Sequence, residues 1–329
     1  MEVEKIKNLH KSFLKDTLKS VFKIEKLKRI TGFSGVHFND AEKKLAEKIE
    51  NYRKVEREAI KSWRIVELSR DEKRPHTPDY INGIFDDFIS FSGDRQGYDD
   101  KSIITGLGIL DGSTVAVIGH NKGSGIKERI EYNFGSSMPQ GYRKAARIMD
   151  IAQRFGFCLV TFIDTPGAYP ALEAEDSGQA GAIARSIYEM FSLDVPTITV
   201  LIGEGGSGGA LALAIGNFIM MLENSTYSVI SPEGCASILW RDSSAAKLAS
   251  RALKLTSRDL LKLGVIDKII YEPMGGAQNN PGRMIKIVKS YLKNIIKKYS
   301  NLKDFDFKTH RAQKYESIGI TAGSVQQKL

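Results

Sequence analysis

The sequence predicts an α/β fold built on a largely parallel sheet. Three observations carry that expectation. From about residue 102, short apolar runs alternate with helical patterns. Two of those runs, CLVTFI (158–163) and PTITVLI (196–202), are apolar almost without interruption, as buried strands are. The second leads into GEGGSGG (203–209), where glycine fills five of seven positions before an Ala/Leu-rich helical stretch.

The elements run in order along the chain. Ile6, Leu9, Phe13, Leu14, Leu18, Val21 and Phe22 recur at three- and four-residue steps and predict an amphipathic helix. A turn comes next at TGFSG (31–35), and 41–69, free of Gly and Pro, predicts a second long helix. Thr77-Pro78 supplies a cap and a first-turn proline for a helix through DYINGIFDDFI (79–89). IITGLGIL (103–110) and TVAVIG (114–119) flank Asp111-Gly112, a hairpin signal. A helix near 140–155, the strand 158–163, a helix near 175–191 and the strand 196–202 come next. FIMML (218–222), YSVIS (227–231) and VIDKII (265–270) read as further strands, with helical patches at 243–254 and 257–263. Asn280-Pro281 opens a lysine-rich helix to about 299, and the polar residues 300–329 are expected to be loosely held. The chain thus divides into an N-terminal helical extension (1–35), a main domain (36–296) and a basic polar tail (297–329).

Composition bounds the function. The chain has 329 residues, 42% of them hydrophobic, which is enough for a sizeable core. Cys158 and Cys235 form neither a disulfide framework nor a metal-ligand pattern, which points to a reducing cytoplasm. The N-terminus MEVEKIKN has no apolar signal core, and the most apolar stretch, 195–222, is broken by Glu204 and the glycines, so no membrane span is expected. Net charge is +9 but uneven. Residues 1–30 hold nine Lys/Arg against four Asp/Glu, and 281–329 hold eleven against three. The rest, 31–280, holds 28 against 32. Both basic ends have helical periodicity, which reads as solvated lysine faces; no nucleic-acid motif accompanies them.

Gly205-Gly-Ser-Gly-Gly209 matches G-x-S-x-G, the nucleophile elbow of serine hydrolases. Of His10, His37, His76, His120 and His310, only His310 comes after Ser207, and it lies in the tail, so a triad is not supported. Ser207 then reads as a small residue or a helix cap. Asp164-Thr-Pro-Gly167 resembles a GTPase switch, but no Gly-Lys dipeptide exists for a phosphate-binding loop. Gly203, Gly205 and Gly208 fit G-x-G-x-x-G, without the βαβ context that would complete a dinucleotide site. Two readings of the glycine run remain: backbone N–H donors at a helix start facing a phosphate or oxyanion, or close helix–strand packing. Asp164, Thr165, Pro166, Gly167, Ala168 and Tyr169 end the preceding strand and read as a wall of a substrate site or as a plain turn. Arg143 and Lys144 read as phosphate-binding groups or a solvated face. Glu204 reads as a locally paired buried charge or a rim residue.

Several stretches carry a resemblance: FIDTPGAYP (162–170), GEGGSGGALA (203–212), STYSVISPEGCASILW (225–240), GHNKG (119–123), NFGSSMPQGYRKAARIMDIAQRF (133–155), RPHTPDYI (74–81) and GGAQNNP (275–281). Together they resemble the carboxyltransferase alpha subunits of multi-subunit bacterial and plastid acetyl-CoA carboxylases, over roughly 60–285. The resemblance implies a crotonase-like spiral of ββα units with helices outside. It implies transfer of a carboxyl group from carboxybiotin, held on a biotin carboxyl carrier protein, to acetyl-CoA, giving malonyl-CoA for fatty acid synthesis. It implies a heterotetramer of two alpha and two beta subunits, the beta subunit bringing a zinc ribbon, and biotin carboxylase in the larger complex. No cofactor or metal would be bound permanently to this chain, which has no CxxC. On that basis the backbone of Gly208, Gly209 and Ala210 would form the oxyanion hole for the biotin ureido oxygen, with Gly205 and Gly206 allowing close approach. The alternatives are a stand-alone crotonase-like acyl-CoA hydratase or decarboxylase, and a structural subunit that keeps the glycines for packing.

Overall fold

A computed structural model describes residues 39–319; the helix expected within 1–35 and the residues after 319 lie outside it. Helices α1 (Asn39–Ser69) and α2 (Thr77–Ile84) lead into strands β1 (Asp87–Ser90), β2 (Ile103–Leu110) and β3 (Ser113–His120). Helices α3 (Gly125–Glu131) and α4 (Pro139–Phe155) precede β4 (Cys158–Thr165), and α5 (Leu172–Asp176) and α6 (Gln179–Ser192) precede β5 (Thr197–Gly206). Then come α7 (Ser207–Leu211), β6 (Phe218–Leu222), β7 (Thr226–Ser228), α8 (Pro232–Trp240), α9 (Ala246–Ala252) and α10 (Ser257–Lys262). Strand β8 (Lys268–Ile270) and helices α11 (Pro281–Ser300) and α12 (Phe307–Ser317) complete the order. Contacts divide the chain into two units, one up to Arg64 with Ser231–Lys254, the other Ile65–Ile230 with Leu255 onward. In the first unit, Arg251 of α9 pairs with Glu58 of α1 at 2.7 Å.

The second unit holds the sheet. Its strands run β1-β2-β3-β4-β5-β6-β8, with β7 beside β5. Strands β1 to β3 pair antiparallel, while β3 to β4, β4 to β5, β5 to β6 and β7, and β6 to β8 pair parallel. The hairpin at Asp111-Gly112 forms as expected, with both residues at positive φ. Each parallel connection passes through helices, as parallel pairing requires. Side chains alternate between two buried layers. Ala116, Ile118, Leu159, Ile163, Leu201, Ile219 and Met221 join Tyr142 and Ile148 of α4 and Met190 of α6. Val115, Val117, Val160, Phe162, Ile198, Val200, Ile202 and Met220 join Tyr80 of α2 and Met284, Val288 and Leu292 of α11. Apolar cover on both faces explains why these strands read as unbroken apolar runs.

Four local expectations change. The helix expected over 79–89 ends at Ile84, because Asp86 N–H donates to Ile109 O and residues 87–90 pair with β2. Of YSVIS only Tyr227 and Ser228 are strand, within β7; Ser228 Oγ then donates to Ile230 O and turns the chain. The strand expected to stop at 202 continues through Gly206, pairing Glu204, Gly205 and Gly206 with Thr226, Tyr227 and Ser228. Within the polar tail, Phe307–Ser317 is not loosely held but helical, with Phe307 and Arg311 buried.

Arg311 explains that last difference. Its guanidinium donates to the carbonyls of Leu193 (2.8 Å) and Val195 (3.0 Å), to Thr197 Oγ1 (3.0 Å) and to Asn217 Oδ1 (2.8 Å). Lys314 pairs with Asp267, and Tyr315 Oη donates to Ala214 O at 3.0 Å. The helix therefore closes the start of β5, the strand that carries the glycines at its other end. Arg311→Leu would leave several buried acceptors unpaired, each worth about 1–3 kcal/mol. The expected result is a loss of about 2–4 kcal/mol in urea unfolding, and a loss below about 0.5 kcal/mol would contradict the clamp.

Candidate functional site

The parallel strands β4 and β5 deliver two short backbone segments to the same end of the sheet, 164–169 and 203–210. Brought side by side, they leave no room for side chains between them. A Cβ at Gly206 would overlap the backbone of Pro166 and Gly167, and one at Gly209 would overlap Gly167 and Ala168. A Cβ at Gly203 would overlap the Asp164 carboxylate, and one at Gly205 would crowd Leu201 and Tyr227. Gly208 differs: the nearest atom to a Cβ there is Ile183 Cγ2 at 3.7 Å. Four of the five glycines thus answer to internal close approach, and at the fifth a Cβ would make only ordinary contact with Ile183. Ser207, where strand becomes helix, has φ +49° and is exposed. Of its two readings, small residue or helix cap, the cap fails, because Gly206 holds that position.

Helix α7 begins at Ser207 with Gly206 as its cap, so Ser207, Gly208 and Gly209 fill its first turn and Ala210 N–H is the first that can reach the Gly206 carbonyl. First-turn N–H groups have no acceptor within their own helix. Facing them is the turn after β4. Thr165 is buried and its Oγ1 both accepts from Gly167 N (3.1 Å) and donates to Gly167 O (2.8 Å). Tyr169 N–H donates to Ser137 O at 3.0 Å, and Gln179 Nε2 donates to Tyr169 O at 3.1 Å. Pro166 is exposed, and Gly167, Ala168 and Tyr169 are half-buried.

Asp164 sits beneath this surface rather than on it. Its Oδ1 accepts from Glu204 N–H (3.0 Å) and lies 2.8 Å from Lys122 Nζ, while Oδ2 meets His76 Nδ1 at 3.2 Å. Glu204 is a locally paired charge, with Lys122 Nζ at 2.9 Å and Arg70 Nε at 2.7 Å. Burial works to raise both carboxyls, but Lys122, with His76 at Asp164 and Arg70 at Glu204, outweighs it and holds both below the usual carboxylate range. Alongside, Arg74 makes a two-pronged pair with Glu272 at 2.9 and 2.7 Å and donates to Ile202 O at 3.0 Å.

The expected basic pair resolves differently. Lys144 is buried on Asp99 (2.6 Å) and the Asp100 carbonyl (2.7 Å), and Arg143 is paired with Asp94 at 3.0 Å. Neither forms a solvated face; both brace the loop before β2. His310 lies by Asn217, whose N–H donates to Thr197 O at the opposite end of β5 from Ser207. His310, the one histidine after Ser207 in the sequence, is therefore too far away to complete a serine-hydrolase triad. Lys122, His76 and Arg70 were missed as site residues. The available signal was a polar HNKG run directly after an apolar strand, and a lone charge inside the glycines.

The family described as acetyl co-enzyme A carboxylase carboxyltransferase-like matches residues 11–319. The chain belongs to that family. It is 46% identical to an acetyl-coenzyme A carboxylase carboxyl transferase subunit alpha of Thermus thermophilus, over 94% of this chain and 98% of that one. It is 45% identical to the protein of the same name from Methylococcus capsulatus, over 91% and 93%. Among solved structures it resembles transcarboxylase 12S with methylmalonyl-coenzyme A and methylmalonic acid bound (TM-score 0.59, 18% identity, 71% of this chain). It also resembles the beta subunit of geranyl-CoA carboxylase from P. aeruginosa (TM-score 0.53, 19% identity, 69% of this chain). The chain spans less than half of each of those solved chains, 44% and 42%. The expected crotonase-like fold and carboxyltransferase class stand. Among the described residues no helix is long and apolar enough to cross a membrane.

This geometry has two measurable consequences. Gly209→Ala forces backbone apart and is expected to lose about 1–3 kcal/mol, whereas Gly208→Ala is expected to stay within about 0.5 kcal/mol of wild type by urea unfolding. Equal stability of the two variants would contradict the close approach. The second concerns His120, which is fully buried below Gly209 with neither ring nitrogen in hydrogen-bond geometry. Burial lowers it to about 4, against the pull of nearby Asp164 and the backbone of Phe162 and Gly209. Between about pH 6.5 and 4 the unfolded chain takes the proton and the folded one does not, so stability falls as pH falls, by up to about 1.4 kcal/mol per unit. His120→Gln is expected to flatten the stability profile over that window; an unchanged slope would assign the loss to other groups.

Proposed function

We propose that this chain is the biotin-side half of a carboxyl-transfer site that converts acetyl-CoA to malonyl-CoA for fatty acid synthesis. One observation carries the proposal: helix α7 starts at the end of a strand braced from below, so its first turn offers backbone N–H groups there, and a Cβ at Gly208 would meet nothing nearer than Ile183 Cγ2 at 3.7 Å. Such donors suit an oxygen that gains negative charge, and they need no rearrangement during reaction. The donor set, all backbone N–H, fits the ureido oxygen of carboxybiotin. Gly208, the one glycine of the run at which a Cβ would overlap nothing, allows that approach, while Gly205 and Gly206 let the strand ends close beneath it.

Carboxybiotin, carried by a biotin carboxyl carrier protein, supplies the carboxyl group when bound. This chain's residues orient and stabilise. Gly208 and Gly209 donate to the oxygen that becomes negative as the carboxyl leaves, and Ala210 continues the turn behind them. Thr165 holds the 166–168 turn in register against them, and Pro166, Gly167, Ala168 and Tyr169 form the adjacent wall. Asp164 contributes from below by positioning, since its carboxylate is engaged by Lys122, His76 and Glu204 N–H. The enolate side falls to a beta subunit, which brings the zinc ribbon and the acetyl-CoA site in an assembly of two alpha and two beta chains. Biotin carboxylase in the same cytoplasmic complex regenerates carboxybiotin.

The test is Gly208→Val in the complex with the beta subunit, assayed as malonyl-CoA formation from carboxybiotin and acetyl-CoA. Crowding the donors is expected to lower kcat about 100-fold with the unfolding midpoint nearly unchanged, since one such donor is worth about 100- to 1,000-fold. Ser207→Ala is expected to retain activity. Full turnover by Gly208→Val would contradict the donor assignment, and a folded but inactive Ser207→Ala would return the serine to consideration.

A further inference from the structure

Lys122 lies just past β3, and its ammonium bridges two carboxylates on neighbouring strands. It lies 2.8 Å from Asp164 Oδ1 and 2.9 Å from Glu204 Oε2. The free edges of both carboxylates are also taken. His76 Nδ1 meets Asp164 Oδ2 at 3.2 Å, and Arg70 Nε meets Glu204 Oε1 at 2.7 Å. The side chains of Lys122 and Asp164 are only 11% and 5% exposed. Buried charge clusters of this kind add little net stability, because desolvation offsets attraction. Their directional contacts favour one arrangement of the backbones that carry them.

Here the arrangement concerns an irregularity in the sheet. Ile163 pairs with Leu201, yet Thr165 pairs with Gly205, so residues 202–204 of β5 stand against Asp164 alone. The missing ladder contact is replaced by Glu204 N–H donating to Asp164 Oδ1 at 3.0 Å, the same oxygen that Lys122 holds. A bulge re-aims the chain beyond it. Beyond this bulge lie Gly205 to Ala210.

We propose that Lys122 is a positioning residue for carboxyl transfer: by tying Asp164 to Glu204 across the bulge, it sets the direction of the Gly208 and Gly209 N–H groups. The inference rests on the reading of those groups as oxyanion donors. A brace of this kind acts on the rate of the chemical step and not on acetyl-CoA binding. The bland alternative, a purely stabilising ion pair, would change stability without separating kcat from KM.

The test uses the complex with the beta subunit, carboxybiotin and acetyl-CoA. Lys122→Met is expected to lower kcat about tenfold or more while KM for acetyl-CoA changes less than about twofold, and Lys122→Arg is expected to recover to within about threefold of wild type. Amide exchange over 203–210 is expected to accelerate about tenfold in Lys122→Met, with α4 unchanged. Wild-type kcat and wild-type exchange in folded Lys122→Met would overturn the proposal. Should that variant not fold, Arg70→Gln breaks the outer link of the same cluster. It is expected to lower kcat about threefold at constant KM, and an unchanged kcat would overturn the brace. Inactivity of the wild-type complex would refute the oxyanion-donor reading instead, and the exchange result alone would then decide whether Lys122 orders the glycine segment.

Discussion

The backbones of 166–168 and 206–209 lie so close that no Cβ fits between them at Gly206 or Gly209. Much else in the structure serves that approach. Parallel pairing of β4 and β5 brings the two strand ends to one edge of the sheet. Apolar layers on both faces hold those strands rigid, with Leu201 on one side and Val200 and Ile202 on the other. Arg311 fixes the start of β5, and the Lys122–Asp164–Glu204 cluster fixes its end. A short helix then begins where the strand ends.

This construction separates the roles of neighbouring residues. Glycines in 203–209 look interchangeable in sequence, yet Gly203 faces a carboxylate, Gly205 an aromatic ring, Gly206 and Gly209 another backbone, and Gly208 only the Ile183 side chain at an ordinary contact distance. A substitution at Gly209 therefore confounds folding with chemistry. Position 208 reports on chemistry. The same logic applies to Asp164 and Tyr169, adjacent in motif but separated in depth: the carboxylate works below the surface, and the tyrosine lies in the turn above it.

The layered fold was legible because buried parallel strands are apolar on both faces and stand out as CLVTFI and PTITVLI. The hairpin at Asp111-Gly112 was legible because its turn needs positive φ at both residues. The two backbone segments of the candidate site were legible for the same local reason: glycine and proline mark special backbone. What escaped was everything set by distant pairing. Nothing near Gly203 announces that β5 continues to Gly206, because its partner, Thr226–Ser228, comes twenty residues later. Nothing in the tail announces that Arg311 reaches buried carbonyls over a hundred positions away. The polar HNKG run marks Lys122 as unusual after an apolar strand, but nothing local says that its two carboxylates come from separate strands.

The most direct measurement is malonyl-CoA formation from carboxybiotin and acetyl-CoA, first with this chain alone and then with the beta subunit from the same organism. Turnover is expected only in the mixture, as follows from the proposal that this chain supplies donors for one developing negative charge and a beta subunit serves the other. Turnover by the chain alone would contradict it, since the whole site would then reside here.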